Sequence, residues 1–109
     1  MQVTLSARHA VVPESVRRRA ETRLERLERF EPRATAADVL FTVDHGVHRV
    51  EIRLAGAGHV SVAHGAASGF QPALDQALDR LARQLRRRVE MRHDRKGPRA
   101  AELAAANGA

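Results

Sequence analysis

The side chains best placed to do chemistry in this chain are arginines. Between Arg80 and Lys96 stand eight basic residues (Arg80, Arg83, Arg86, Arg87, Arg88, Arg92, Arg95 and Lys96) against Glu90 and Asp94, a local excess of +6. The whole chain of 109 residues carries 19 Lys+Arg against 13 Asp+Glu, a net charge of +6, so this one segment equals the total excess. Guanidinium groups gathered on one element are donors for phosphate oxygens and mark a polyanionic partner, nucleic acid first. The number of arginines is a weaker signal than their position. Eighteen of the nineteen basic residues are arginine and alanine is abundant, as codon bias in a GC-rich genome would produce.

Histidine is the other candidate for chemistry, with six in the chain. His45-x-x-His48 spans a turn beside Asp44, and His59 and His64 bracket a strand. No acidic or cysteine cluster completes a metal-site pattern around them. His48 and His64 are therefore read as structural residues that share one face of a sheet. The sequence has no cysteine, no Gly-x-Ser-x-Gly elbow, no phosphate-binding loop and no dinucleotide fingerprint. Neither catalysis, a metal, a cofactor nor a small-molecule substrate is expected.

Elements must hold these residues in place, and the apolar periods show which. Val3, Leu5 and Ala7 alternate with polar neighbours as in a half-buried strand. Pro13 preorganises a helix whose stripe Val16, Ala20, Leu24, Leu27 and Phe30 runs up to Pro32. Three strands follow: Asp38 to Asp44 with Val39, Phe41 and Val43 on one face; Val50, Ile52 and Leu54; then Val60 and Val62 after the turn Gly56-Ala57-Gly58. Their short links favour antiparallel hairpins. From Phe70 the period becomes helical again, through Leu74, Ala77, Leu78, Leu81, Leu85 and Val89. The order β-α-β-β-β-α predicts an α+β fold, with a four-stranded sheet and two helices packed on one face. Residues 1–96 form the expected domain, and 97–109 a short Ala-rich tail expected to be disordered. No run approaches the roughly 20 apolar residues of a membrane span, and the N-terminus lacks a secretion signal. The chain is expected in the cytoplasm and off the membrane.

The two helices differ in how their charge is arranged. In helix one, Arg17, Arg18, Arg19, Arg23, Arg26 and Arg29 are matched by Glu14, Glu21, Glu25, Glu28 and Glu31, and Glu14 with Arg18 and Glu25 with Arg29 stand at i,i+4 spacing. Most of that charge is structural. In helix two, complementing the macrodipole explains cations of the last turn only. Arg80, Arg83 and Arg87 fall opposite the leucine stripe and Arg86 on its flank, a ridge of like charges that repel one another. Such a ridge implies a partner that neutralises it. With three Phe, no Tyr and no Trp, all three Phe on apolar faces, base stacking is not expected. Folded RNA held by phosphates and shape is.

The segment Leu74-Asp75-x-x-x-Asp79-Arg80-Leu81-Ala82-Arg83-Gln84-Leu85, followed by basic residues, resembles helix two of the ribosome hibernation-promoting factor and ribosome-associated inhibitor family. The opening Met1-Gln2-Val3-Thr4-Leu5-Ser6 and the helix-one ending Leu24-Glu25-Arg26-Leu27-Glu28-Arg29-Phe30 resemble it too, over residues 1 to 96. The resemblance implies a protein that occupies the mRNA and tRNA channel of the small ribosomal subunit, contacts 16S rRNA, and blocks translation in stationary phase or stress. The matching basic residues are Arg80 and Arg83, with Arg86, Arg87, Arg88 and Arg92 beyond them and Arg26 and Arg29 in helix one. The start of helix two departs from the family pattern, with Gly69, Phe70, Gln71 and Pro72 in place of an acidic residue, Met and Tyr, and with Ser68 as the expected cap. The chain looks like the short form, so pairing of ribosomes by its own tail is not expected, though a separate factor could supply it. A double-stranded RNA-binding module is the rival, but it places lysines at the start of its second helix, where this chain reads Phe70-Gln71-Pro72-Ala73-Leu74-Asp75.

Overall fold

Each apolar period of the sequence folds into one element. The structure, a computed structural model, describes residues 1–56 and 58–95, with side chains through Val89. Its elements are β1 (Gln2–Arg8), α1 (Glu14–Leu27), β2 (Ala34–Asp44), β3 (Val47–Gly56), β4 (His59–Ala67) and α2 (Phe70–Arg95), the expected order. The segment 97–109, expected to be a tail, lies outside the described residues.

The sheet runs β1-β2-β3-β4 and is mixed. β1 pairs parallel to β2, with Leu5 opposite Val39, whereas β2–β3 and β3–β4 are antiparallel. A parallel pair needs a crossover between its strands, and α1 supplies it. The β2–β3 hairpin closes over two residues, His45 at φ 52° and Gly46 at φ 79°. Two consecutive positive φ values define the type I′ turn, whose twist matches that of the flanking strands.

One face of the sheet meets both helices. Val39, Phe41, Val50, Ile52 and Leu54 pack against Val16, Ala20, Leu24 and Leu27 of α1 and Leu74, Leu78, Leu81 and Leu85 of α2, all buried in one core. Each buried Val, Leu, Ile or Phe among them is worth about 1.5–3 kcal/mol. β4 departs from the apolar pattern. Ser61, Ala63 and Gly65 face the core, while Val60 is 59% exposed and Val62 points the other way. The reason is the close approach of α2: a Cβ on Gly65 would overlap the carbonyl oxygen of Ala73. Only small residues fit under the helix, so the β-branched ones turn outward.

One helix boundary and one helix cap differ from expectation. α1 ends at Leu27, not near Pro32, and the chain continues in i→i+3 turns, such as Phe30 N–H to the Leu27 carbonyl at 2.9 Å. Proline disfavours the α conformation in the residue before it, so the last turn tightens early. α2 starts at Phe70, where the Gly69 carbonyl accepts the Ala73 N–H at 3.2 Å. Gly69 therefore holds the cap position in place of Ser68, and Pro72 falls in the first turn, where its missing N–H costs nothing.

Candidate nucleic-acid interface

Helix α2 is fastened along both flanks, and this decides which of its arginines are free. On one flank it runs antiparallel to β4, the edge strand. Gln76 Oε1 accepts the Ala66 N–H at 3.1 Å, Arg80 Nη1 donates to the His64 carbonyl at 2.7 Å, and Gln84 Nε2 donates to the Val62 carbonyl at 2.9 Å. Arg88 Nη2 completes the series with a bond to Ser61 Oγ at 3.0 Å. Four helical residues rise about 6.0 Å and two strand residues about 6.6–6.8 Å, so a polar side chain at every fourth helix position meets the strand in near register. The ladder occupies groups that an edge strand otherwise leaves open to another chain.

On the other flank, α1 clasps α2. Arg19 donates from Nε and Nη2 to the two carboxylate oxygens of Asp75, at 2.8 and 3.2 Å. Arg23 lies 3.9 Å from Asp75 and 3.8 Å from Asp79. The pairs advance in the same direction along both helices, so α1 and α2 run parallel and their basic ends lie at the same end of the domain. The hydrogen bond to Asp75, and then its charge, push the pKa of the Arg19 guanidinium up.

Of the residues expected to bind RNA, Arg83, Arg86 and Arg87 are exposed and, among the described residues, make no ion pair. Arg83 and Arg87 lie between the two flanks, on the side of α2 away from the sheet, and Arg86, two turns beyond Asp79, continues the flank that faces α1. Arg26, in the last turn of α1, and Arg29, just beyond it, are likewise exposed and, among the described residues, unpaired. Glu14 pairs with Arg18 at 3.5 Å as its spacing predicts, but Glu25 and Arg29 form no such bridge, because Arg29 falls beyond the regular helix. Arg80 is exposed, yet its guanidinium is bent back onto β4. Arg88 turns inward, 3.8 Å from the carboxylate of Glu31, which is 3% exposed. The side chain of Arg92 lies outside the described residues.

Sequence reasoning missed both fastenings. The clasp needs the helices to be neighbours in a known register, which no local pattern reveals. The ladder leaves a faint signal, the polar series Gln76, Arg80, Gln84 and Arg88 at i,i+4, which is indistinguishable from an exposed helix face until the edge strand is placed beside it.

The histidines are dispersed. His48 faces the core, edge-on to Phe70 at 4.6 Å, whereas His64 lies on the open face, 3.4 Å from Glu51. They do not share a face as expected, because the register sets Glu51 opposite His64 and His48 opposite Ala67. His45 Nδ1 meets Asp44 at 2.7 Å in the hairpin turn. Among the described residues no three His, Cys, Asp or Glu side chains gather as metal ligands, and no helix is long and apolar enough to cross a membrane.

These features define a small α+β domain with two parallel helices on one face of a mixed sheet and a group of exposed arginines at the common end of those helices. Residues 3–93 match the sigma 54 modulation protein / S30EA ribosomal protein family, and the chain belongs to it. It is thereby a ribosome-associated modulation factor. Two of the solved structures that share its fold illustrate the likeness. A ribosomal subunit interface protein from Coxiella burnetii superimposes with a TM-score of 0.76 at 14% identity, over 83% of this chain and 99% of that one. The N-terminal domain of Thermus thermophilus Protein Y gives 0.71 at 26% identity, over 80% of this chain and 98% of that one. No curated protein matches the chain.

Proposed function

We propose that this protein binds 16S rRNA in the mRNA and tRNA channel of the small ribosomal subunit and holds ribosomes inactive in stress or stationary phase. One observation carries the reading: Arg83, Arg86 and Arg87 stand exposed and, among the described residues, without ion pairs, while arginines on either side of them are fastened to the fold. Like charges held on a rigid helix repel one another, and a phosphate backbone relieves that repulsion. Arg26 and Arg29 extend the surface onto α1. Arg80, Arg88 and Arg92 belong to the same basic stretch, with Arg80 and Arg88 serving the fold first.

The mechanism is occlusion. The sheet and its clasped helices form a wedge that keeps its shape, and the ridge fixes it among channel phosphates where mRNA and tRNA would lie. No bond is made or broken. The site of action is the cytoplasm.

Replacing Arg83, Arg86 and Arg87 together by Gln tests this directly. The variant should keep its circular dichroism spectrum and lose co-sedimentation with small subunits on a sucrose gradient. Unchanged co-sedimentation would move the interface elsewhere, and competition by plain duplex RNA would make the chain a general duplex binder.

A further inference from the structure

We propose that the groove between α1 and α2 receives one unstacked nucleotide of the bound RNA, with its base against Phe30 and its phosphate between Arg26 and Arg29. This rests on the RNA reading above and specifies the kind of RNA that reading requires. The three Phe are not equivalent. Phe41 and Phe70 are 1% and 8% exposed and meet edge to face, ring centroids 5.5 Å apart and planes at 86°, so neither can offer a face to a ligand. Phe30 is only partly buried and reaches the surface of the groove.

That groove has a volume of about 140 Å³, a floor that includes Phe30, Leu78 and Ala82, and a rim of Arg23, Arg26 and Arg29. Clefts that engulf a drug-sized ligand run to roughly 300–1,000 Å³, so a free nucleotide cofactor would stay largely outside. One planar ring of a larger molecule held elsewhere fits the space better. Among the described residues, no acidic side chain lines the groove. Arg23 is drawn toward Asp79 at 3.8 Å, whereas Arg26 and Arg29 have no ion pair among the described residues.

An apolar floor with two uncompensated guanidiniums at its rim matches a base joined to its phosphate, since base on aromatic is sequence-tolerant and guanidinium on phosphate is charge-assisted. A regular duplex cannot supply that base, because its bases are stacked inside. The occupant is therefore a bulged or looped position of folded RNA. With only one aromatic open, it is a single nucleotide rather than a stacked run.

The test compares two RNA hairpins, one fully paired and one carrying a single unpaired adenosine, bound by the full chain. The bulged hairpin should bind about tenfold more tightly, as one base on one aromatic would give. An abasic residue at the bulge should remove the preference, and Phe30→Leu should bring the bulged hairpin down to the affinity of the paired one. Excess adenosine monophosphate should not compete. Equal binding of the two hairpins, a preference that survives the abasic residue, or displacement by the free nucleotide would overturn the site alone. Failure of the wild-type chain to bind either hairpin would likewise overturn the site, whereas failure to co-sediment with small subunits would overturn the RNA reading with it. The abasic arm needs no protein variant, so the outcome does not depend on whether Phe30→Leu folds.

Discussion

Arg19 grips both carboxylate oxygens of Asp75, at 2.8 and 3.2 Å, and ties α1 to α2 across 56 positions of sequence. Bidentate pairing of this kind fixes orientation as well as distance. It also divides the arginines of α1 by role: Arg19 and Arg23 hold the helix layer together, while Arg26 and Arg29, one to two turns on, remain available to a ligand.

Removing the acceptor should loosen that layer. Asp75→Asn is expected to lower the melting temperature, and the loss should shrink at high salt because the pair is partly exposed. The pH dependence has a definite sign. The folded-state pKa of Arg19 is raised, so its stabilisation is complete below the unfolded value and fades only as pH climbs through the higher folded one. Both lie well above neutrality, so Arg19 adds no pH dependence between neutral and mildly alkaline solution. Thermal melts of the two proteins across that range should stay parallel.

The ladder along β4 makes a different prediction. Gln84→Ala removes the donor to the Val62 carbonyl and should cost about 0.5–1.5 kcal/mol in chemical denaturation. Because β4 is an edge strand, its exposed carbonyl also becomes a template for another chain. Faster amide exchange in β4 and α2, and concentration-dependent self-association in scattering, are the expected signs. A variant as stable and as monomeric as the parent would show that the ladder is incidental.

The sequence disclosed the fold more fully than the site. The stripe from Leu74 to Leu85 and the alternation in Val50-Glu51-Ile52-Arg53-Leu54 each point to one element and one buried face, because local periodicity and tertiary burial agree there. β4 shows where that logic fails: Val60 and Val62 attract attention, but the close approach of Gly65 and Ala73 puts the small residues inside. The basic stretch was legible as charge, not as geometry. Arg80, Arg83 and Arg88 look alike in sequence, yet one is bonded to a strand carbonyl, one is exposed, and one points at a buried glutamate. Only the neighbouring elements distinguish them.

That distinction separates stability from binding. Arg88→Ala takes a cation from beside Glu31, which is 3% exposed, and the donor from Ser61 Oγ, and should cost about 1–3 kcal/mol in urea midpoint measurements. The Arg83, Arg86 and Arg87 variant should keep the parent midpoint. A well-folded Arg88→Ala protein that no longer reaches the ribosome would reassign Arg88 to the interface.

The salt dependence of binding counts the contacts. If Arg26, Arg29, Arg83, Arg86 and Arg87 each neutralise one phosphate, the logarithm of the binding constant should fall against log salt with a slope of roughly −4, at about 0.7–0.9 per contact. Removing the three ridge arginines should leave roughly −1.5, because only the two of α1 remain. Screening of diffuse surface charge predicts a gradual weakening in proportion to net charge, whereas discrete contacts predict a loss in proportion to the residues removed. Titration of small subunits over a range of salt with both proteins separates the two. A parent slope near zero would mean that shape and apolar contact hold the protein, and the ridge would then need another partner.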